Sequence, residues 1–167
     1  MRQTCRSLSV MLMAGMALAV SACGSSTSSA SQKALQKQAD MYAIDQIERT
    51  WHKAASTHDL DLMMTLWAPK ATFTFGGKTV TGKAAIREAI GKAGPFQPQN
   101  HWVSDTPAYK IRTSVNGDTG TLYFECHYVD TKTEKVVAVV GADQDVRRIN
   151  GRWLITSLTA ASPTLSP

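Results

Sequence analysis

Two residues in the second half of the chain are of types that can move protons. His101 opens a strand-like stretch, and an imidazole can act as base or acid near neutral pH. Asp145 lies in a later strand-like stretch, and a buried carboxyl group can exchange protons with a reacting carbonyl. The alternatives are a half-buried histidine at a strand end and a surface aspartate paired with Arg147 or Arg148. His101 and Asp145 are the candidate catalytic residues.

Several common kinds of site have no counterpart in this sequence. The four histidines lack the spacing of paired metal ligands such as His-x-x-x-His. There is no glycine-rich phosphate loop and no Gly-x-Ser-x-Gly nucleophile motif. The net charge of +5 comes from scattered basic residues rather than from a run typical of nucleic-acid binding. We therefore expect no metal, no cofactor and no nucleic-acid partner.

The beginning of the chain has the pattern of an export signal. Arg2 and Arg6 precede an apolar stretch at 8–20, which is too short for an ordinary membrane-spanning helix. The Val-Ser-Ala-Cys sequence that ends at Cys23 resembles a bacterial lipobox, in which the cysteine thiol carries lipid after cleavage. An ordinary signal peptide with a chance cysteine is the alternative. We predict a lipoprotein signal peptide at 1–22, lipidation at Cys23 and a lipid-anchored location on the extracytoplasmic side of a bacterial membrane.

A serine-rich polar stretch follows the candidate lipidation site. Its composition predicts a flexible tether at 23–39 between the lipid and a folded domain. Cys5 leaves with the signal and Cys23 carries lipid, so Cys126 is the one free thiol and no internal disulfide is expected. A lone cysteine in a strand pattern is more often a small buried residue than a nucleophile.

Apolar residues at helical spacing predict three helices in the first half of the domain. The first covers about 40–55. The apolar face of the second follows i, i+3, i+4, i+7 spacing: Leu60, Met63, Met64 and Trp67. Asp59 is a good N-cap for this helix, and Pro69 is expected to stop it. The third helix covers about 83–92 and ends near two glycines.

The remaining segments alternate as strands do. A short strand at 71–75 carries Phe73 and Phe75 on one face, with Gly76-Gly77 as the turn. The longer strands are predicted at 100–114 with a break at Pro107, at 119–129, at 135–149 with a bulge at Gly141, and at 152–160. Asn-Gly pairs at 116–117 and 150–151 predict tight hairpins. Helices followed by a long antiparallel meander predict an α+β domain.

The order of these motifs resembles the nuclear transport factor 2 superfamily, which includes ketosteroid isomerases and SnoaL-like polyketide cyclases. The matching pieces are Leu66-Trp67-Ala68, Ala71-Thr72-Phe73, the Gly-x-x-x-Ile-Arg run at 82–87, Asn116-Gly117-Asp118-Thr119, and Arg148-x-x-Gly151-x-Trp153-x-Ile155. The resemblance covers about 40–160 and leaves 161–167 as a tail. It implies a cone in which three N-terminal helices pack on a strongly bent antiparallel sheet around an apolar pocket.

The same resemblance bears on the candidate catalytic residues. The run from Asp145 matches the ketosteroid isomerase pattern Asp-x-x-Arg-x-Asn-Gly, whose protonated aspartate donates to an oxyanion. Many SnoaL-like sequences carry a histidine near the cavity mouth, where this chain has His101. However, the isomerase base falls at 74–76, which is Thr-Phe-Gly here, and its oxyanion tyrosine falls at Trp51. The steroid-isomerase mechanism is therefore not supported.

Two functions compete at this point. The favoured one is a membrane-tethered domain that binds a small, largely apolar ligand or a protein partner in its pocket. The alternative is a cofactor-independent isomerase, dehydratase or cyclase that uses His101 and Asp145. The expected ligand-binding residues are Trp51, Trp67, Phe75 and Trp102, and other ring-bearing residues could line the pocket but are more often packing residues: Tyr42, Tyr123, His127 and Tyr128. A homodimer through the open face of the sheet is a further expectation.

Overall fold

A computed structural model describes residues 28–104 and 108–162, with the exception of the Tyr109 side chain. In chain order the elements are α1 Ser29–Ser56, α2 Leu60–Met64, β1 Trp67–Phe75, β2 Lys78–Thr81, α3 Lys83–Gly91, a 3-10 turn Gly94–Phe96, β3 Trp102–Ser104, β4 Tyr109–Asn116, β5 Thr119–Asp130, β6 Lys135–Ile149 and β7 Arg152–Ala161. The predicted signal peptide, Cys23 and the predicted break at Pro107 lie outside the described residues.

The sheet follows the order β2-β1-β7-β6-β5-β3, and β4 also pairs with β5. All pairs are antiparallel except β1 with β7, which are parallel. The three helices precede the long strands, so the predicted α+β class with a strongly curved sheet is confirmed. The turn between β6 and β7 has Asn150 and Gly151 at φ of 50° and 76°, the left-handed conformation that a two-residue hairpin turn requires.

Helix α1 begins earlier than the sequence analysis predicted. Ser28 caps it, because the Ser28 hydroxyl accepts a hydrogen bond from the Ser31 amide at 3.3 Å. Residues 29–39 are helical and exposed, so this part of the predicted tether is not an irregular linker. The Ala, Leu, Gln and Lys residues of this stretch are strong helix formers and outweigh its serines.

The junction between α2 and β1 also differs from the prediction. Asp59 is the N-cap as expected, accepting from the Leu62 amide at 2.8 Å. However, α2 ends at Met64, and Pro69 lies inside β1 instead of stopping a helix. A proline is tolerated there because the pairing of β1 with β7 shifts register between Trp67 and Thr72.

Gly141 is not the site of a bulge. Its pairing with Glu125 belongs to a continuous run, and the irregularities lie near Tyr128 in the β5–β6 pair and near Asp145 in the β6–β7 pair. A side chain at Gly141 would approach the Tyr123 hydroxyl to 3.1 Å. Because Gly141 has no side chain, the Tyr123 ring can lie against the backbone at this position.

The core lies between the helices and one side of the sheet. Its largest fully buried apolar side chains come from all three helices and from β1, β5 and β7: Ile44, Met63, Trp67, Ile86, Leu122, Phe124, Ile155 and Leu158. The other side of the sheet, which we call the outer face, carries charged residues such as Asp143 and Asp145. Within residues 28–104 and 108–162, no helix has the length and apolar character needed to cross a bilayer.

Candidate ligand-binding cavity

A cavity of about 490 Å³ opens between α3 with the 3-10 turn and the ends of β1, β6 and β7. Its aromatic lining comes from Trp51, Phe73, Phe75, Phe96, Trp102 and Tyr128. Small aliphatic side chains complete the wall, chiefly Ala89, Ile90, Ala93, Ala138, Val140 and Ala160. The volume falls in the range of small-molecule sites, which is roughly 300–1,000 Å³.

Two local features shape the aromatic wall. Phe73 and Phe75 lie two residues apart on β1, so they share a face, and their rings stack 6.4 Å apart at 7°. Trp102 opens β3 and lies directly over Gly94, where a Cβ would come within 2.1 Å of the indole ring. The Trp102 ring also approaches the Tyr128 ring to 6.4 Å. A glycine at position 94 is therefore what allows the indole to form this wall.

Three of the four predicted ligand-binding residues line the cavity: Trp51, Phe75 and Trp102. Phe75 is 56% exposed and lies at the mouth. Trp67 does not line it. It is 1% exposed and packs behind the wall, with ring centroids 6.2 Å from Trp51 and 5.9 Å from Phe73. The prediction for Trp67 is corrected: it is a core residue that supports the wall.

Few polar side chains reach the cavity. Of the fifteen lining residues, four carry a polar side-chain atom: Trp51, Lys92, Trp102 and Tyr128. Lys92 is exposed at the rim, and its ammonium lies 2.7 Å from the Glu88 carboxylate. The Trp51 indole N–H donates to the Tyr128 hydroxyl at 3.3 Å. The lining therefore includes neither a carboxylate nor an imidazole.

A line of buried polar groups continues from Tyr128 into the interior. Cys126 lies two residues before Tyr128 on the same face of β5, and its sulfur is 3.5 Å from His52 Nε2. The same nitrogen is 3.3 Å from the Glu48 carboxylate, which accepts from the Ala108 amide at 3.1 Å. We call Glu48, His52, Cys126 and Tyr128 the buried polar line; each is at most 4% exposed.

The α1 helix positions half of this line. Glu48 and His52 are four residues apart, so they lie on one helix face and can contact each other. His52 Nδ1 is 2.8 Å from the Ser104 hydroxyl of β3, which ties α1 to the sheet. Burial favours the neutral acid and raises the pKa of Glu48, although its hydrogen bond from Ala108 opposes this. Burial also raises the pKa of Cys126 to about 12, so the thiol stays protonated.

Comparison with known families gives one match over most of the chain. The model of the SnoaL-like domain family matches residues 36–159. This chain belongs to the SnoaL-like domain family. A comparison with curated proteins finds no match.

Solved structures share the fold of this SnoaL-like domain at low sequence identity. A nuclear transport factor 2-like protein from Novosphingobium aromaticivorans is 18% identical, with a TM-score of 0.69 over 82% of this chain and 91% of that one. A putative dehydratase from Streptomyces avermitilis is 17% identical, with a TM-score of 0.63 over 77% and 99%. A hexachlorocyclohexane dehydrochlorinase from Novosphingobium barchaimii is 14% identical, with a TM-score of 0.64 over 80% and 93%. At these identities the likeness establishes the fold alone.

Asp145 of this SnoaL-like domain does not face the cavity. It is exposed on β6, while its neighbours Gln144 and Val146 are buried. Successive strand residues point to opposite sides of a sheet, so Asp145 belongs to the outer face. The charged neighbours Asp143 and Arg147 share its parity, which is the sequence signal that indicated a solvent-facing position.

His101 is exposed as well, just before β3. Its carbonyl accepts hydrogen bonds from the amide and the hydroxyl of Thr131, at 2.9 and 3.0 Å. The next residue pairs with Asp130, which pairs with Lys135 at the start of β6. Asp145 is ten residues further along β6, or about 33 Å at 3.3 Å per residue. The structure therefore does not bring His101 and Asp145 together, and the predicted acid–base pair is corrected.

The buried polar line is not predicted from the sequence. The strand pattern predicts Tyr128 as a packing residue and gives no role to Glu48 or His52. A signal existed: Glu48 directly follows Ile47 and His52 directly follows Trp51, so both lie beside the apolar face of α1 and one turn apart. The prediction that Cys126 is a small buried residue is confirmed, since it is a free cysteine that is 1% exposed.

Proposed function

We propose that this SnoaL-like domain binds a small, largely apolar molecule in the cavity. The observation that carries this proposal is the lining, in which eleven of the fifteen side chains have no polar atom. Burial of about 200 Å² of apolar ligand surface there contributes roughly 5 kcal/mol to the free energy of binding, before the entropic cost of association is subtracted. The aromatic side chains offer this area on rigid rings.

Filling the cavity tests the proposal. Ala160 lines the cavity, while the next residue, Ala161, is exposed. We expect tetralin, a bicyclic hydrocarbon, to raise the melting temperature of the wild type and of Ala161→Phe. Ala160→Phe should abolish that stabilisation because its ring occupies the site. Equal stabilisation of both variants would place the ligand elsewhere.

A second candidate function is cofactor-independent proton transfer, as an isomerase, dehydratase or cyclase. The names of similar structures, a putative dehydratase and a dehydrochlorinase, are in keeping with it. In this chain the buried polar line is the observation that favours it, because Tyr128 joins the cavity to His52 and Glu48. This function predicts that the protein accelerates the exchange of the α-protons of 1-tetralone in heavy water, as measured by NMR. Tyr128→Phe should abolish that acceleration. Exchange no faster than in buffer would remove this candidate.

We further propose that Cys23 carries the lipid and that the domain is tethered close to a bacterial membrane on its extracytoplasmic side. The sequence places only residues 24–27 between Cys23 and the helix cap Ser28. An extended chain gains at most about 3.6 Å per residue, so this connection spans no more than about 18 Å. The anchor would therefore hold α1 near the bilayer surface.

A homodimer through the outer face of the sheet remains part of the proposal. Val139 lies there in β6, opposite in direction to the cavity-lining Val140. On the same face, the Arg112 guanidinium lies 4.1 Å from the centroid of the Tyr123 ring. Sedimentation should give a dimer for the wild type and a monomer for Val139→Glu. The control is Leu35→Glu, at an exposed apolar position on α1, which should leave the dimer intact.

A further inference from the structure

We propose that the ligand carries an uncharged hydrogen-bond-accepting atom and that the Tyr128 hydroxyl donates to it. This inference rests on the proposed binding function and specifies the chemistry that the cavity recognises. It makes Tyr128 the residue that sets specificity in a cavity whose other contacts are almost entirely apolar.

The surroundings of the Tyr128 hydroxyl leave its proton as the group that a ligand can use. The oxygen already accepts the Trp51 indole N–H at 3.3 Å, so one acceptor position is occupied. Among residues 28–104 and 108–162, the hydroxyl also forms a hydrogen bond with the Cys126 thiol. Burial raises the pKa of Tyr128 well above its ordinary value, so the phenol keeps its proton and stays a donor.

A ligand oxygen competes well for this proton. A thiol sulfur is a weak hydrogen-bond acceptor, whereas a carbonyl or ether oxygen is a strong one. The Cys126 sulfur also has a second contact, with His52 Nε2 at 3.5 Å, and does not depend on Tyr128 alone. A ligand acceptor can therefore draw the Tyr128 proton toward the cavity without leaving the thiol isolated.

The same wall disfavours two other ligand classes. A carboxylate would bury its charge with no cation except Lys92, which is exposed at the rim and pairs with Glu88 at 2.7 Å. A pure hydrocarbon would leave the proton of the Tyr128 hydroxyl with a sulfur as its acceptor. Neutral molecules with an oxygen acceptor on an apolar body fit the wall best.

His52 and Glu48 are positioning residues in this arrangement. His52 contacts the Cys126 sulfur, and Glu48 contacts His52. Trp51 precedes His52 directly on α1, so both protein partners of the Tyr128 hydroxyl depend on one turn of this helix. The hydroxyl is thereby kept in one orientation before a ligand arrives, which lowers the entropic cost of forming the new hydrogen bond.

The test compares 1-tetralone with tetralin, which differ by a carbonyl oxygen in place of two hydrogens. Dissociation constants for both are measured on the wild type and on Tyr128→Phe, and the tetralin-to-tetralone ratio is taken for each protein. Comparing this ratio between the two proteins cancels the difference between the two compounds in their transfer from water, because that difference is the same for both proteins. We expect the ratio to fall about 5–10-fold in Tyr128→Phe, the loss of one neutral hydrogen bond.

Two control variants separate Tyr128 from the other donors. Trp51→Phe and Trp102→Phe each remove one indole N–H of the wall and keep the phenol. Trp102→Phe should retain the wild-type ratio within twofold, whereas Trp51→Phe, which removes the N–H that the phenol oxygen accepts, should lower it by less than Tyr128→Phe does. A ratio unchanged in Tyr128→Phe but lowered in either tryptophan variant would overturn the proposal and assign the donor to that indole.

A spectroscopic measurement that does not need Tyr128→Phe keeps the proposal testable if that variant does not fold. The carbonyl stretching frequency of 1-tetralone bound to the wild type should be lower than in a hydrocarbon solvent, and it should stay low in Trp102→Phe. An unshifted frequency would refute donation by Tyr128 even if binding is tight. Failure of both compounds to bind would instead refute the apolar-cavity function itself.

Discussion

Replacing Asp40 by Asn is expected to loosen α1 from the hairpins that it crosses. The Asp40 side chain is 9% exposed, and its carboxylate lies 2.6 Å from the Arg148 guanidinium. It also accepts hydrogen bonds from Gln36 at 3.0 Å and from the Trp153 indole at 3.4 Å. Arg148 in turn lies 3.0 Å from Asp118, beside the β4–β5 turn. One carboxylate therefore joins α1 to both hairpins.

The structure sets the size of the effect. Removing one partner of a buried ion pair costs about 3–5 kcal/mol, because the other charge is left buried. Arg148 is 27% exposed and keeps Asp118, so we expect a smaller loss, about 2–3 kcal/mol in the free energy of unfolding. For a domain of this size that corresponds to a fall of about 6–15 °C in melting temperature.

The effect should depend on pH with a defined sign. Burial of the Asp40 carboxyl favours its neutral form, but hydrogen bonds from Arg148, Gln36 and Trp153 outweigh burial and hold its pKa below the ordinary value. A carboxyl whose pKa is lower in the folded state contributes its full stability above its unfolded pKa, about 3.9. That contribution is lost as the pH falls through the folded pKa. The advantage of the wild type over Asp40→Asn should therefore shrink below about pH 4.

Urea unfolding of the wild type and Asp40→Asn at neutral and acid pH measures both quantities. Asp145→Asn is the matched control, because the same chemical change at an exposed position should alter stability by less than about 0.5 kcal/mol. Two results would refute the reasoning. One is an Asp40→Asn loss no larger than that of the control, and the other is a loss that stays undiminished at the lowest pH at which both proteins fold.

Four further predictions concern the core, the wall, the thiol and the anchor. Trp67→Ala should lower the free energy of unfolding by about 3–5 kcal/mol in urea melts, and a loss below about 1 kcal/mol would contradict its burial. Gly94→Ala should displace the Trp102 ring, lower stability by about 1–3 kcal/mol and weaken tetralin binding; unchanged binding would show that the ring is not needed there. Cys126 should resist a thiol-specific reagent at pH 8 until the protein unfolds, as read by mass spectrometry, because its pKa is about 12; rapid native labelling would disprove this. The Cys23→Ala protein should be lost from the membrane fraction or remain unprocessed, and normal processing with wild-type fractionation would exclude Cys23 as the lipid site.

Local chemistry made most of the fold predictable. The Asp59 cap fixed the start of α2, and the Asn-Gly pairs at 116–117 and 150–151 fixed two hairpins. These signals act within a few residues, so they need no knowledge of the tertiary structure. The end of α2 was missed because Trp67 has helical spacing in the sequence, although pairing with β7 draws it into a strand.

The cavity was predictable in part for a similar reason. Phe73 and Phe75 alternate along a strand, and this pattern places both rings on one face whatever the strand packs against. Such a local pattern does not show which of Trp51 and Trp67 lines the cavity. Only the approach of α1 to the sheet decides that Trp51 reaches the cavity and that Trp67 lies behind it.

The buried polar line shows why the site chemistry was harder to predict than the fold. His52 and Cys126 are 74 positions apart, and Trp51 and Tyr128 are 77 apart, so no local pattern relates the members of either pair. What the sequence does carry is half of the line: a glutamate and a histidine one turn apart on an otherwise apolar helix face. Such groups are rarely buried unless they are paired, and each supplies a partner for the other. Glu48 and His52 thus predict a buried polar contact, and the register of β5 against α1 then determines that it leads to Tyr128 and the cavity.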